Sequence, residues 1–280
     1  MIPPEPNSPL EIERQRNRAT AEAWSLYAEH RAIVTEQLAQ LGDDSRDRSL
    51  CVFGAGNLND VELRWLLPRF AGIDLVDCDA EAMRRGLEHQ SLASEPAIRA
   101  IGPIDLSGLL SALPSTADVQ ALIHAATSTP IELPRADYDV IASLCLLSQL
   151  VDQAARALGP DHPRLLDLIQ AVRQRHLRLL AEQLRPGGAM LLVTDFVSSD
   201  TCPKLLTLPA ADIPSAARNW LHAGNFFTGV NPLVLRRALT NDPEIAPSWT
   251  NVKMVRPWRW QLSARRAYAV CALTAIRSYH

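Results

Sequence analysis

The stretch Leu50-Cys51-Val52-Phe53-Gly54-Ala55-Gly56-Asn57-Leu58-Asn59-Asp60 decides the fold. A short apolar run of the kind that fills a buried parallel strand is broken by two glycines one residue apart. Apolar spacing then resumes at Val61, Leu63, Leu66 and Leu67 and closes near Pro68. Strand, glycine turn and short helix is the order this predicts. Such glycines let backbone amides approach a ligand closely, but the third glycine of the dinucleotide pattern GxGxxG is replaced by Asn59. Asp60 and Glu62 are expected in the first helical turn, where a pyrophosphate would rest, and their carboxylates would repel it. The turn therefore suits a ligand without phosphates. The same residues also fit a structural role, with Asn59 capping the helix and Glu62 completing a capping-box-like pair.

Working outward, Ile73 to Val76 form the next apolar run, ending in Asp77, and the following segment continues as helix. Asp77 stands 23 positions after Gly54, close to the spacing of the carboxylate that takes ribose hydroxyls in nucleotide-binding folds; Asp79 is its rival, and a solvated turn acid is the plainer role for either. Residues 99–106 predict a weak third strand, and a helix is expected near 116–125. Val140 to Leu147 is nearly all apolar, as a central parallel strand requires, and a long amphipathic helix follows over 163–184. Arg185-Pro186-Gly187-Gly188 ends that helix before the strand AMLLVTDF. Upstream, the spacing over 10–41 argues one or two amphipathic helices. Downstream, residues 200–248 are rich in Pro, Asn and Gly, with helical pieces around 211–222 and 232–239, and two runs at 251–260 and 267–276 have the spacing of a hairpin. Alternating strands and helices imply an α/β fold: a doubly wound, mostly parallel seven-stranded sheet with helices on both faces and a reversed C-terminal strand. Residues 1–45 would form an N-terminal helical cover, residues 46–280 the main domain, and 200–248 an insertion serving as a substrate lid.

The series LCVFGAGN, LVDCDAEAM, IGPIDLSG, DYDVIASLCLLSQL and LRPGGAMLLV resembles the ordered motifs of class I S-adenosylmethionine-dependent methyltransferases, over residues 48–197. The resemblance implies S-adenosyl-L-methionine as cofactor. It places Gly54, Gly56 and Asn57 beside the methionine moiety and Asp77, with Cys78, at the ribose. Asp105 falls at the adenine amino group, and the stretch from Ser143 and Leu144 to Gln149 along the active site. Val52 stands where the family has an acid, so Asp60 or a backbone carbonyl is assigned the methionine amine. The (Asn/Asp)-Pro-Pro-(Tyr/Phe) sequence of nucleic acid amino-methyltransferases is missing, and Cys202 follows Thr201 instead of a proline. The expected activity is methyl transfer to a small molecule. An NAD(P)-dependent oxidoreductase, an aminopropyl transferase and a non-catalytic scaffold that keeps the fold are the alternatives.

Composition narrows these readings. Among 280 residues, 28 Lys and Arg against 31 Asp and Glu give a net charge of -3, a poor start for binding nucleic acid. The cysteines, 5 in all and scattered without ligand spacing, predict neither a metal site nor a disulfide framework. With no leader-like or spanning apolar run, a cytoplasmic location away from membranes is expected. For catalysis, Ser148 and Asp195 could bond a substrate from strand ends, and Tyr27, His30 and His222 could meet one, although both histidines read first as surface residues. His176, on an apolar helix face, reads as packing. The segment Arg256, Trp258, Arg259, Trp260, Arg265 and Arg266 reads as a hairpin with packed tryptophans and solvated arginines, with a phosphate or RNA platform as the rival.

Overall fold

The computed structural model describes residues 8–42, 47–110 and 118–279. Five strands run parallel in the order β3 (Ile98–Ile101), β2 (Gly72–Val76), β1 (Ser49–Phe53), β4 (Tyr138–Leu144) and β5 (Leu184–Ser198). The sheet continues through β7 (Arg266–Arg277), antiparallel to β5, and ends on β6 (Trp249–Ser263), antiparallel to β7. A seven-stranded sheet with one reversed strand results, in agreement with the fold class read from the sequence. Strand order reverses between β1 and β4, so the chains that leave their carboxyl ends turn to opposite faces of the sheet and leave a crevice there.

Every residue of β1 is buried, because helices cover both faces of the sheet. Side chains alternate: Cys51, Phe53, Ile141 and Leu192 join one core, and Leu50, Val52, Ala142 and Leu191 the other. The first core packs under α5 (Val119–Ser128), α6 (Leu146–Leu158) and α7 (Leu165–Gln183). The second packs under α2 (Ala28–Leu41), α3 (Leu63–Leu66) and α4 (Ala80–His89). Between β5 and β6 the chain forms α8 (Ile213–His222) and α9 (Pro232–Asn241), whose Ile213, Ala217, Leu235 and Leu239 are buried in the first core.

α1 (Pro9–Thr20) starts with Ser8 as N-cap, its hydroxyl accepting from the Glu11 amide at 3.3 Å, and with a proline where no amide donor is needed. It lies over the glycine turn. The helix near 116–125 begins in part outside the described residues; its described portion is α5. One expectation fails. Asn59, Asp60 and Glu62 are not in a helical turn, because α3 starts only at Leu63, and Glu62 caps it without a side-chain bond. Asn59 turns away, its amide donating to the Thr20 carbonyl at 2.8 Å, so no capping box forms.

Candidate functional site

The chain leaves β1 through two glycines in the left-handed region, Gly54 at φ 73° and Gly56 at φ 46°. The Gly54 amide donates to the Val76 carbonyl at 3.0 Å, which ties the turn to the end of β2. A Cβ at Gly54 would lie 3.0 Å from Leu146 Cβ and 3.1 Å from the Leu144 carbonyl oxygen. Bare backbone at this point is what lets the start of α6 close against the turn. The Gly56 amide donates to Asp77 Oδ2 at 2.9 Å, and the Asp79 amide to Asp77 Oδ1 at 2.9 Å. Asp77 is thus fixed by the turn it faces, with lone pairs left over for a ligand. Burial pushes its carboxyl up to about 6, the two amides opposing that rise. Asp79 does different work: it caps α4 by accepting from the Ala82 amide at 3.2 Å and accepts from Asn17 Nδ2 at 3.1 Å.

Asn17, Gln90 and Gly86, which no sequence pattern marks, hold this turn in place. Asn57 Nδ2 donates to the Asn17 carbonyl at 2.6 Å, so α1 is stitched to the loop. Gln90 lies buried under it, donating to the Leu58 and Val61 carbonyls and accepting from the Leu63 amide, each within 3.1 Å. A Cβ at Gly86 would meet the Asn57 carbonyl oxygen at 2.4 Å, which explains a glycine in the middle of α4. None of these contacts has a local sequence signature, since each joins segments separated by more than a helix length.

Above the turn opens a cavity of about 690 Å³, within the ~300–1,000 Å³ usual for small-molecule sites. Gly54, Gly56, Asn57, Asp60, Asp77, Cys78, Asp105 and Leu144 all line it, as do Tyr27, Ser148 and Asp195. Asp105 largely organises its own loop, taking the Ser107, Gly108 and Leu110 amides and the Ser107 hydroxyl. Among the described residues its Oδ2 accepts only from the Leu110 amide. Ser143, grouped with these residues from sequence, is wholly buried off the cavity wall, its hydroxyl 2.8 Å from His176 Nε2. The alternation of β4 turns it toward α7. Burial lowers His176 to about 4, so this histidine is a neutral packing group. His222 sits exposed near the end of α8 and lines no part of the cavity.

His30 is not a surface residue: it is 1% exposed and stands behind the wall. Trp258 Nε1 donates to its Nδ1 at 3.0 Å, which leaves the ring proton on Nε2, 3.0 Å from Asp60 Oδ1 but without the alignment of a hydrogen bond. Its ring stacks on Trp260 at 5.0 Å between centroids. The far wall of the cavity is aromatic, with Tyr27 edge-on to Trp260 (5.2 Å), Trp260 beside Tyr268 (5.5 Å) and Tyr268 beside Phe227 (6.1 Å). Asp195 adds a carboxylate to this wall from the end of β5, its Oδ1 accepting from Ser148 Oγ at 2.5 Å. Burial raises its carboxyl to about 6, opposed by the Ser148 bond. The tryptophans of the terminal hairpin are packed, as read, but Arg259 is not simply solvated: its guanidinium donates to the Leu206 and Leu208 carbonyls at 3.3 and 3.0 Å.

Charge in the cavity is one-sided. Glu13, Asp60, Asp77, Asp105, Asp152 and Asp195 face two arginines, both already paired, Arg16 with Glu13 and Asp152 and Arg266 with Asp200. Such a field favours a cationic ligand and opposes a phosphate. Among the described residues no group of three or more His, Cys, Asp or Glu could hold a metal ion, and no helix is long and apolar enough to cross a membrane.

No model of a known protein family matches the chain, and no curated protein matches it in sequence. Its likeness is structural. A chain from the complex of the Haloferax volcanii Trm112 methyltransferase activator superposes with TM-score 0.51 at 9% identity, over 95% of this chain and 98% of that one. The N-methyltransferase NodS from Bradyrhizobium japonicum WM9 aligns with TM-score 0.43 at 13% identity, over 87% of this chain and 94% of that one. With the strand order above, the fold is that of class I methyltransferases.

Proposed function

We propose that the protein is an S-adenosylmethionine-dependent methyltransferase acting on a small molecule. The carrying observation is the pair of ties from the β1 turn to β2: the Gly54 amide on Val76 and the Gly56 amide on Asp77, both at the floor of the cavity. This places bare backbone and a carboxylate at the switch point of a doubly wound sheet, where such folds bind ligands. The surroundings fit this cofactor. Asp77 offers acceptors for ribose hydroxyls, Asp105 Oδ2 a further acceptor on the loop beyond β3, and the carboxylate-rich lining suits a sulfonium and an ammonium. An NAD(P) ligand fits less well, because its pyrophosphate would meet Asp60 at a turn followed by a helix of only four residues.

When bound, S-adenosylmethionine supplies a methyl group on positively charged sulfur. The chain's contribution is to hold and dry the site: Gly54, Gly56 and Asp77 fix the cofactor end, and the aromatic wall excludes water at the acceptor end. Positioning of this kind can supply a large part of the acceleration for a two-substrate reaction. Phe227, Thr228 and Val230 bring the segment between α8 and α9 to the cavity, supporting its role as a lid; Phe227 also packs against the first core, as do Trp220 and Phe226, which do not line the cavity.

Thermal shift and calorimetry test the reading. S-adenosylhomocysteine should raise the melting temperature in step with its concentration, as binding to the native state alone requires, and NADH should not. Stabilisation by NADH, with none by S-adenosylhomocysteine at saturation, overturns it.

A further inference from the structure

The acceptor end of the cavity has a chemistry of its own. Asp195 is 6% exposed, yet among the described residues no arginine or lysine is bonded to it; its side-chain partner is the Ser148 hydroxyl. Of the two arginines that line the cavity, Arg16 is paired with Glu13 and Asp152 and acts on Asp195 only through its field, and Arg266 is paired with Asp200 and bonded to Tyr268. A buried carboxylate without a cation is costly to desolvate, and a cationic ligand removes that cost. On the same cavity stand Tyr268, whose hydroxyl lies in the field of Asp195, and with it Tyr27, Trp260 and Phe227, neighbouring rings 5.2–6.1 Å apart. Ring faces are the negative side of an aromatic quadrupole and attract ammonium groups. Leu144, Val230 and Leu262 add apolar surface to the lining, suited to a carbon body. A carboxylic acid would be repelled by Asp195, and an alcohol would gain nothing from the rings beyond packing.

We infer that the methyl acceptor is a small alkyl- or arylalkylamine, held with its nitrogen at Asp195 and its carbon body between Tyr27, Trp260, Tyr268 and Phe227. The inference rests on the methyl-transfer reading above. The amine enters as its ammonium form and gives one N–H proton to the Asp195 carboxylate, whose raised proton affinity equips it to accept. The freed nitrogen lone pair then forms the N–C bond to the methyl carbon as the C–S bond breaks. The bonding electrons stay on sulfur, and the positive charge passes from sulfur to nitrogen. The proton on Asp195 leaves to solvent. No oxidant or metal is needed for the balance.

The test loads the wild-type protein with S-adenosylhomocysteine and titrates butylamine, benzylamine and phenethylamine against butanol, benzyl alcohol and 2-phenylethanol, reading affinity by calorimetry. At least one amine should bind about tenfold more tightly than its alcohol, the margin expected for a charge-assisted bond in place of a neutral one. Asp195→Asn should erase that margin while keeping S-adenosylhomocysteine affinity, which also reports that the variant is folded. Tyr268→Leu should weaken the amines without changing the site's charge. The inference is overturned if alcohols bind as well as amines, if no amine binds the loaded protein, or if Asp195→Asn keeps the preference. Failure of S-adenosylhomocysteine itself to bind would instead remove the methyltransferase reading on which the inference rests.

Discussion

The two walls of the cavity are made in different ways. On one side, Gly54, Gly56 and Asp77 lie within a single strand–turn–helix–strand unit, and what they present to a ligand is backbone and one carboxylate tied to that backbone. On the other, Tyr27, Asp195, Trp260 and Tyr268 come from segments scattered over the chain, and side chains do the contacting; the His30–Trp258 bond behind them joins residues 228 positions apart. The first wall follows from how a doubly wound sheet reverses its strand order. The second depends on how the N-terminal helices and the terminal hairpin meet. A shared ligand is expected at the former and substrate choice at the latter.

The sharpest way to break this contrast is to ask what the acceptor wall costs the fold. Asp195 is buried with its carboxyl raised from 3.8 to about 6, so the native state holds a proton that the unfolded chain releases. The sign follows: stability contributed by this group is present below about 4 and is lost as pH rises through about 6. The Ser148 hydroxyl, by its hydrogen bond, and the Arg16 charge oppose the rise. Asp195→Asn removes the titration and keeps an acceptor for Ser148. The variant without ligand should be more stable than wild type at pH 8, by on the order of 2–3 kcal/mol at most, and the gain should vanish near pH 4. Melting curves across that range decide it. A variant less stable at pH 8 would mean that Asp195 is a structural anchor and not a ligand-directed group.

The same contrast explains what was legible in the sequence. The glycine turn, Asp77 and the alternation of strands and helices could be read because each depends on neighbours in the chain: an apolar run, a glycine pair, an acid at a strand end. Ser143 was misplaced because assigning the end of β4 to the site does not say which face each residue takes, and its hydroxyl faces His176. His30 was read as surface because nothing within α2 announces the tryptophans of β6 that bury it. Gly86 and Gln90 went unnoticed for the same reason, their partners being backbone atoms of the turn across the α4 interface. Local pattern marks the glycine-turn wall, and long-range packing hides the other.

A second measurement sharpens the cofactor side by separating two neighbouring acids. Asp77→Ala removes the proposed ribose acceptor and leaves the Gly56 and Asp79 amides without their partner, so S-adenosylhomocysteine affinity should fall by about 1.5–3 kcal/mol. Because burial lifts its carboxyl to about 6, wild-type affinity should weaken as pH drops below that value, and the variant should not show this dependence. Asp79→Ala should cost roughly 1 kcal/mol of stability as a lost helix cap and much less affinity. Calorimetry beside melting curves reads both. A larger affinity loss at Asp79 would move the ribose contact from the end of β2 to the start of α4.

The smallest expected effect lies where the lid meets the acceptor wall. Phe227 reaches the cavity from the segment between α8 and α9, its amide donating to the Phe196 carbonyl at 2.8 Å and its ring 6.1 Å from that of Tyr268. The amide bond is made by backbone and survives Phe227→Ala, so the segment should keep its path while the cavity loses one ring. An aromatic pair contributes about 0.5–1.5 kcal/mol beyond the area it buries, which sets the scale of the loss. Once an acceptor is in hand, kcat/KM should therefore fall between about twofold and tenfold, with S-adenosylhomocysteine affinity nearly unchanged. Trp220 and Phe226 pack on the same core as Phe227 without lining the cavity, so Phe226→Ala should lower stability and spare turnover. If Phe227→Ala instead lowers stability with no effect on turnover, the ring belongs to the core, and the acceptor wall ends at Tyr268.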